Sequence, residues 1–434
     1  MQTDKTFQVR IPQEHGAFAK LIDTITASGV SFGNIRTRHI GRKYVYRDIT
    51  IEFDCEAQYQ RTLAAIRELP GIHIDAVVDE VLRRHEGGKL VYGGRREVQS
   101  LAELREIYTP GVAKVCMAIK AEPQLARRYT MSGNTVAVVS NGTRVLGLGD
   151  IGPRASMPVM ESKALFYHQL VGLNGVAIVL DAPHVDDFVE TVTRIAPSFA
   201  GIHLEDIRSP DCIEIERRLI ERLSIPVMHD DQHGTAVVAV AAMRNMLASV
   251  CMTFGDVTIA QVGLGAAGLA IASLAKAAGA KAVLGVDPNT DAAQRAKSLG
   301  LEPADLLAAM SRAQLVCCTT GCPGLLRPEM IQPGQLVLAL SNPRPEIEPR
   351  DAVKAGAAVA VDGRNVNNLL CYPGLFKGAI AAGARSISMS MKLAAVDVLA
   401  HAAAEGEILP EPLNKSVHQA VARAVRDAAI KEIL

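Results

Sequence analysis

The spacing of hydrophobic and polar positions changes along the chain and divides it into three parts. Over residues 1–88, short strand patterns alternate with helical ones. FQVRIP reads as a strand, and HGAFAKLIDTITASG as a helix with Phe18, Leu21, Ile22 and Ile25 on one apolar face. SFGNI follows as a strand, YVYRDITIEFD alternates as another, QYQRTLAAIRELPG is a second helix, and IHIDAVVD closes the series. The order βαββαβ predicts a ferredoxin-like unit, and HEGGKLVYGGRREV then marks a Gly-rich linker. Residues 89–231 predict strands at NTVAVVS, TRVLGLGD, GVAIVL and FAGIHLED, with helices at MPVMESKALFYHQLVG and PDCIEIERRLIERL. Residues 232–434 enter on the apolar helix TAVVAVAAMRNMLASV, alternate β-α-β-α-β, and end in helices. The chain is therefore expected to be α/β throughout, with three domains bounded at 1–88, 89–231 and 232–434.

Composition narrows the function. Lys plus Arg and Asp plus Glu both number 46, so the formal net charge is zero, unlike the strongly basic face of a nucleic-acid binder. No apolar run approaches the ~20 residues of a membrane helix. MQTDKTFQVR lacks the apolar core of a secretory signal, so a cytoplasmic location is expected. Cys317, Cys318 and Cys322 lie close together, but SRAQLVCCTTGCPG reads better as a buried strand and its turn than as a metal site.

DVTIAQVGLGAAGLAIASLAKAAGAKAVLGVD holds Gly263-x-Gly265-x-x-Gly268 between an apolar strand and an Ala-rich helix. In that context the motif is a Rossmann fingerprint. Gly263 serves a tight turn, Gly265 lets backbone approach a pyrophosphate, and Gly268 lets the helix pack on the strand. Ala266 and Ala267 open the helix, whose N–H groups face the phosphates. Asp287 ends the second strand, where a carboxylate accepts from ribose hydroxyls and repels a 2′-phosphate; NAD is expected over NADP.

Two acidic clusters follow predicted strands. Glu205-Asp206 ends FAGIHLED, and His229-Asp230-Asp231-Gln232-His233 follows IPVM. Neighbours on a strand point to opposite faces, so Glu205 and Asp206 can share one ion only if the chain leaves the strand there. Carboxylates without thiolates suit Mg²⁺ or Mn²⁺.

YTPGVA (108–113), GNTVAVVSNGTRVLGLGDIGP (133–153), MPVMESKALF (157–166), HLEDIRSPDCIEIE (203–216), HDDQHGTAVV (229–238), LSNP (340–343) and VNNLLCYPG (366–374) together resemble malic enzymes, in order and along the whole chain. The first 88 residues resemble the ACT regulatory domain carried by a bacterial subset, with His15-Gly16 where Pro-Gly is usual. The resemblance implies Glu205, Asp206 and Asp231 as metal ligands, Lys163 as the base for the substrate hydroxyl, Tyr108 as the acid for the enolate carbon, and Asp230 as the support of Lys163. It implies Arg144, Asn342, Asn367 and Asn368 at the substrate carboxylates, and Thr320 and Asn342 beside the nucleotide. Ser162, Asp211 and Asn141 depart from the family pattern without removing any of these residues.

The residues agree with that chemistry. Lys163 is expected in the first turns of a helix beginning near Pro158, where apolar burial, the positive helix end and a dication all favour a neutral amine. The implied activity is oxidation and decarboxylation of malate to pyruvate, with a small-molecule effector at the ACT-like unit and a homodimer or larger assembly. A malolactic-type or oxaloacetate decarboxylase that keeps its cofactor, and a non-catalytic metabolite sensor, are the alternatives.

Overall fold

The computed structural model describes residues 3–145, 147–364 and 366–433, in two compact units, Met1–Lys89 and Leu90–Leu434. The first unit runs β1 (Thr3–Pro12), α1 (Ala17–Ala27), β2 (Ser31–Ile40), β3 (Tyr44–Phe53), α2 (Glu56–Arg67), β4 (His73–Asp79) and a short α3 (Glu80–His85). Its sheet order is β2-β3-β1-β4, with β1 antiparallel to both neighbours, as a ferredoxin-like unit requires. Period 2 sends Phe7, Val9 and Ile11 of β1 and Ile49, Ile51 and Phe53 of β3 to one face, where Leu21 and Ile25 of α1 and Leu63 and Ile66 of α2 cover them.

The second unit begins with α4 (Leu101–Ile107), α5 (Val112–Ala121) and α6 (Ala126–Tyr129), none of which buries a residue. Then follow β5 (Thr135–Ser140), α7 (Gly152–Phe166), β6 (Asn174–Val179), α8 (Val185–Ile195), β7 (Gly201–Leu204), α9 (Asp211–Arg222) and β8 (Val227–His229). These four strands form a parallel sheet in the order β6-β5-β7-β8. α10 (Asp230–Ser249) leads to β9 (Thr258–Val262), α11 (Ala266–Ala277), β10 (Ala282–Val286), α12 (Thr290–Ser298), β11 (Glu302–Pro303), α13 (Leu306–Arg312), β12 (Leu315–Cys318), β13 (Leu336–Ala339), α14 (Pro349–Lys354) and β14 (Val359–Asp362). α15 (Tyr372–Ala382), α16 (Met389–His401) and α17 (Lys415–Ile433) finish the chain.

The six-stranded parallel sheet has the order β11-β10-β9-β12-β13-β14. Counted within the sheet this is 3-2-1-4-5-6, the Rossmann arrangement, with its switch point between β9 and β12. α10 is apolar on nearly all sides because it packs between the two sheets. Val237, Val240 and Met243 share one core with Val136 and Val138 of the first sheet and with Ile259 and Leu338 of the second. No helix among the described residues is long and apolar enough to cross a membrane.

Two sequence expectations are corrected. TRVLGLGD is a turn rather than a strand: Gly149 has φ +80°, and Val145 and Gly149 form only an isolated bridge. Leu146 lies outside the described residues. The helix carrying Lys163 starts at Gly152, not near Pro158. Both Ile151 and Gly152 donate to the Gly142 carbonyl, and Pro153 then supplies a first-turn φ at no cost in hydrogen bonds. Cys317 and Cys318 are buried on β12 and Cys322 is exposed in the following turn, all as free thiols.

Candidate active site

Both parallel sheets direct the C-terminal ends of their strands into one cleft, of about 1020 Å³. The nucleotide half follows β9. Gly263 has φ +90°, a conformation that admits the tight turn, and a Cβ there would fall 2.7 Å from the Thr319 carbonyl. A Cβ on Gly268 would stand 1.9 Å from the Gly263 carbonyl, so the start of α11 packs against its own turn through bare backbone. A Cβ on Gly265 would meet nothing within 4 Å; the backbone there faces open space. Ala266, Ala267, Asp287, Thr319 and Thr320 line the same half. Asp287 accepts from the N–H groups of Leu264 at 2.7 Å and Asn289 at 2.8 Å, which ties the glycine turn to the end of β10. Arg295 of α12 is not among the residues that line the cleft.

The other half is acidic. Asp206 has φ +55°, a left-handed conformation rare for a non-glycine residue. That departure from β7 turns the two successive carboxylates toward a common point. Glu205, Asp206 and Asp231 each offer an oxygen, all within 4.8 Å of one another. Backbone fixes the pair of strand ends: the Asp206 N–H donates to Asp231 Oδ2 at 3.0 Å. Three hard oxygen donors and no sulfur fit Mg²⁺ or Mn²⁺. His203, Glu205 and Asp230 form a second cluster of the same tightness, but Lys163 Nζ already sits there, 2.9 Å from Glu205 and 2.6 Å from Asp230.

Lys163 lies in the last turn of α7. The expected help from a positive helix end is thus reversed in sign, since this end of the helix favours a cation. Burial disfavours the ammonium, but Asp230, Glu205 and Asp231 outweigh it and hold Lys163 well above the ordinary lysine range. Burial also pushes Glu205 up to about 8 and Asp230 up to about 6, despite the ammonium beside them. Two buried carboxylates thus share one buried cation, a set short of positive charge. Asn368 Oδ1 accepts from Lys163 at 3.2 Å, and the ammonium stands 4.8 Å from the centre of the Tyr372 ring.

Arg144 lines the cleft and forms no ion pair among the described residues. Asn368 lines it too; Asn367 does not, because its side chain caps the next turn by accepting from the Leu369 N–H at 2.9 Å. Asn342 is exposed and outside the lining. Tyr108 ends α4 with 66% of its surface exposed, and it does not line the cleft. Asp230 lies behind the lining, in contact with Lys163.

Three buried groups escaped sequence reasoning. His203 Nε2 contacts Glu205 Oε2 at 2.8 Å, and its Nδ1 contacts the Tyr167 hydroxyl at 2.9 Å. Burial pulls His203 down to about 4, so it is neutral. The signal was present in FAGIHLED, where period 2 places His203 on the face of Glu205. Glu216 gathers the His229 N–H, Gln232 and His233, pinning the first turn of α10 and its two aspartates to α9.

Residues 96–220 match the family model "Malic enzyme, N-terminal domain". The chain is 44% identical to "NAD-dependent malic enzyme 1" of Bacillus subtilis, over 99% of this chain and 98% of that one. It is 36% identical to "NAD-dependent malic enzyme" of Geobacillus stearothermophilus, over 98% and 94%. The crystal structure of malic enzyme from Pyrococcus horikoshii superposes with a TM-score of 0.76 and 37% identity, covering 81% of this chain and 90% of that one. With 44% identity over nearly the full length of both chains, the chain belongs to the malic enzyme family.

Proposed function

We propose that the protein oxidises and decarboxylates malate to pyruvate with reduction of NAD. The observation that carries this is the convergence of Lys163, Glu205, Asp206 and Asp231 on the nucleotide turn within a single cleft. Arg144 binds a substrate carboxylate through its planar fork. Lys163, held by Asp230 and Asn368, first gives up its ammonium proton to solvent and then, as the neutral amine, takes the hydroxyl proton as hydride leaves C2 for the nicotinamide. Glu205, Asp206 and Asp231 would hold a divalent cation, whose positive charge would stabilise negative charge on the substrate oxygen and favour the neutral form of Lys163. The C3–C4 bond of the oxidised substrate then breaks, carbon dioxide leaves, and Tyr108 gives a proton to C3 of the resulting enolate. Chelation is expected to abolish turnover and Mn²⁺ to restore it; activity that survives exhaustive chelation rules out the acidic site.

Tyr108 reaches that chemistry from a second copy of the chain. In this reading the arm of α4 to α6, which buries nothing of its own and exposes Leu101, Leu104, Ile107, Tyr108 and Met117, lies on the partner of a homodimer or larger assembly. The first unit serves as an ACT-like regulatory domain for a small-molecule effector, in keeping with its ferredoxin-like topology. The cytoplasm is its place of action, matching free buried thiols and a soluble substrate.

NAD is the preferred nucleotide. Asp287 has both oxygens on backbone N–H groups and retains lone pairs for ribose hydroxyls, while a 2′-phosphate meets the same negative charge. Wild type should favour NAD by at least about tenfold in kcat/KM, equivalent to ~1.4 kcal/mol. Asp287→Ser should narrow that ratio. A wild-type preference for NADP, or an unchanged ratio in the variant, removes Asp287 from ribose recognition.

A further inference from the structure

α7 grips both oxygens of one metal-binding carboxylate. Lys163 and Tyr167 stand four residues apart, on one face of the helix and the turn that extends it. Lys163 Nζ meets Glu205 Oε1 at 2.9 Å. Tyr167 reaches the other oxygen through an imidazole: its hydroxyl is 2.9 Å from His203 Nδ1, and His203 Nε2 is 2.8 Å from Glu205 Oε2. A carboxylate that ligates a metal is ionised and only accepts, so in that state Nε2 carries the proton, and the neutral ring's Nδ1 accepts from the Tyr167 O–H. The direction of the chain is therefore fixed, from Tyr167 through His203 to Glu205.

The surroundings leave His203 no other use. Its side chain is wholly buried, stacked on Phe376 at 5.8 Å with a 16° tilt, and met edge-on by Tyr372 at 5.0 Å and Tyr167 at 5.8 Å. Asp230 Oδ2 stands at 3.9 Å, beyond hydrogen-bond range, and among the described residues the His203 nitrogens make no hydrogen bond other than those to Tyr167 and Glu205. An apolar side chain would pack in that aromatic box without the desolvation that an imidazole carries.

We propose that His203, oriented by Tyr167, is a positioning residue that holds the Glu205 carboxylate in its metal-ligating orientation while Lys163 exchanges that carboxylate for the substrate hydroxyl. Lys163 cannot serve both partners at once. When it swings to the substrate, Oε1 loses its lysine, and of these two protein contacts only the His203 bond to Oε2 remains to orient the carboxylate toward the metal. The inference rests on the reading of Glu205 as a ligand.

Mn²⁺ binding to the intact protein, measured by the electron paramagnetic resonance signal of the free ion, separates the two ideas. Glu205→Gln should lose Mn²⁺ binding; if it binds as wild type does, the ligand assignment itself fails. With that established, His203→Phe keeps the stack on Phe376 but deletes the donor, and should weaken Mn²⁺ binding by ~10–100-fold. His203→Gln returns an N–H near the Nε2 position and should recover most of the loss. NAD affinity should stay at the wild-type value in both. The KM for Mn²⁺ should rise far more than kcat falls at saturating metal. Tyr167→Phe, which preserves the ring, should weaken Mn²⁺ binding several-fold and decides the matter if His203→Phe does not fold. Wild-type Mn²⁺ affinity in His203→Phe or in Tyr167→Phe, or equal losses in His203→Phe and His203→Gln, overturns the proposal.

Discussion

Replacing Lys163 by alanine is expected to lower kcat by ~10²–10⁴, the usual worth of a positioned base. The loss should fall on oxidation, with NAD binding unchanged, because Lys163 touches the acidic half of the cleft and not the glycine turn. The same change should destabilise the metal-free protein. Asp230 is wholly buried, and in the variant it and Glu205 share the core with no ammonium. Removing one partner from a buried ion pair costs about 3–5 kcal/mol, less whatever the acids recover by taking up protons. Mn²⁺ should restore thermal stability but not turnover. Thermal melting with and without Mn²⁺, beside steady-state kinetics, reads both effects. Turnover within tenfold of wild type would remove Lys163 as the base.

Tyr108→Phe should cost a similar factor in a different step. Oxidation of malate should persist, while exchange of pyruvate methyl hydrogens with solvent should fall by ~10²–10⁴. The more telling result comes from mixing. A Tyr108→Phe subunit retains Lys163, and a Lys163→Ala subunit retains Tyr108. If each cleft draws its tyrosine from the partner, a mixed dimer holds one site with both residues intact and one with neither. Random reassociation of two inactive proteins should then recover about a quarter of wild-type activity. If both residues act within one chain, mixing recovers nothing, and the exposed arm of α4 to α6 has another purpose.

The parts of this molecule legible in its sequence are those decided within a few residues. The glycine turn at 263–268 is one, since a Cβ on Gly268 would collide with the Gly263 carbonyl only five residues before it. The demand that Glu205 and Asp206 leave the strand is another, and Asp206 meets it with a left-handed backbone. Long-range choices were hidden. The start of α7 is set by a turn back to Gly142, so Lys163 moved from a helix beginning to a helix end, and one electrostatic argument changed sign. Asn367 and Asn368 are alike in sequence; capping geometry gives the first to Leu369 and the second to Lys163. TRVLGLGD alternates as a strand should, yet its glycines fold it into a turn. His203 looked like one more residue of an apolar strand until Tyr167, thirty-six positions earlier, closed on it.

In the proposed reaction this cleft couples release of reduced nucleotide to loss of carbon dioxide from malate. Product stoichiometry with malate, free NAD and Mn²⁺ tests it most directly. One NADH, one carbon dioxide and one pyruvate are expected for each malate consumed, with no lactate. Carbon dioxide accompanied by lactate and no net NADH would make the protein a malolactic-type decarboxylase with a retained cofactor, and no consumption of malate would leave the cleft without the activity derived for it.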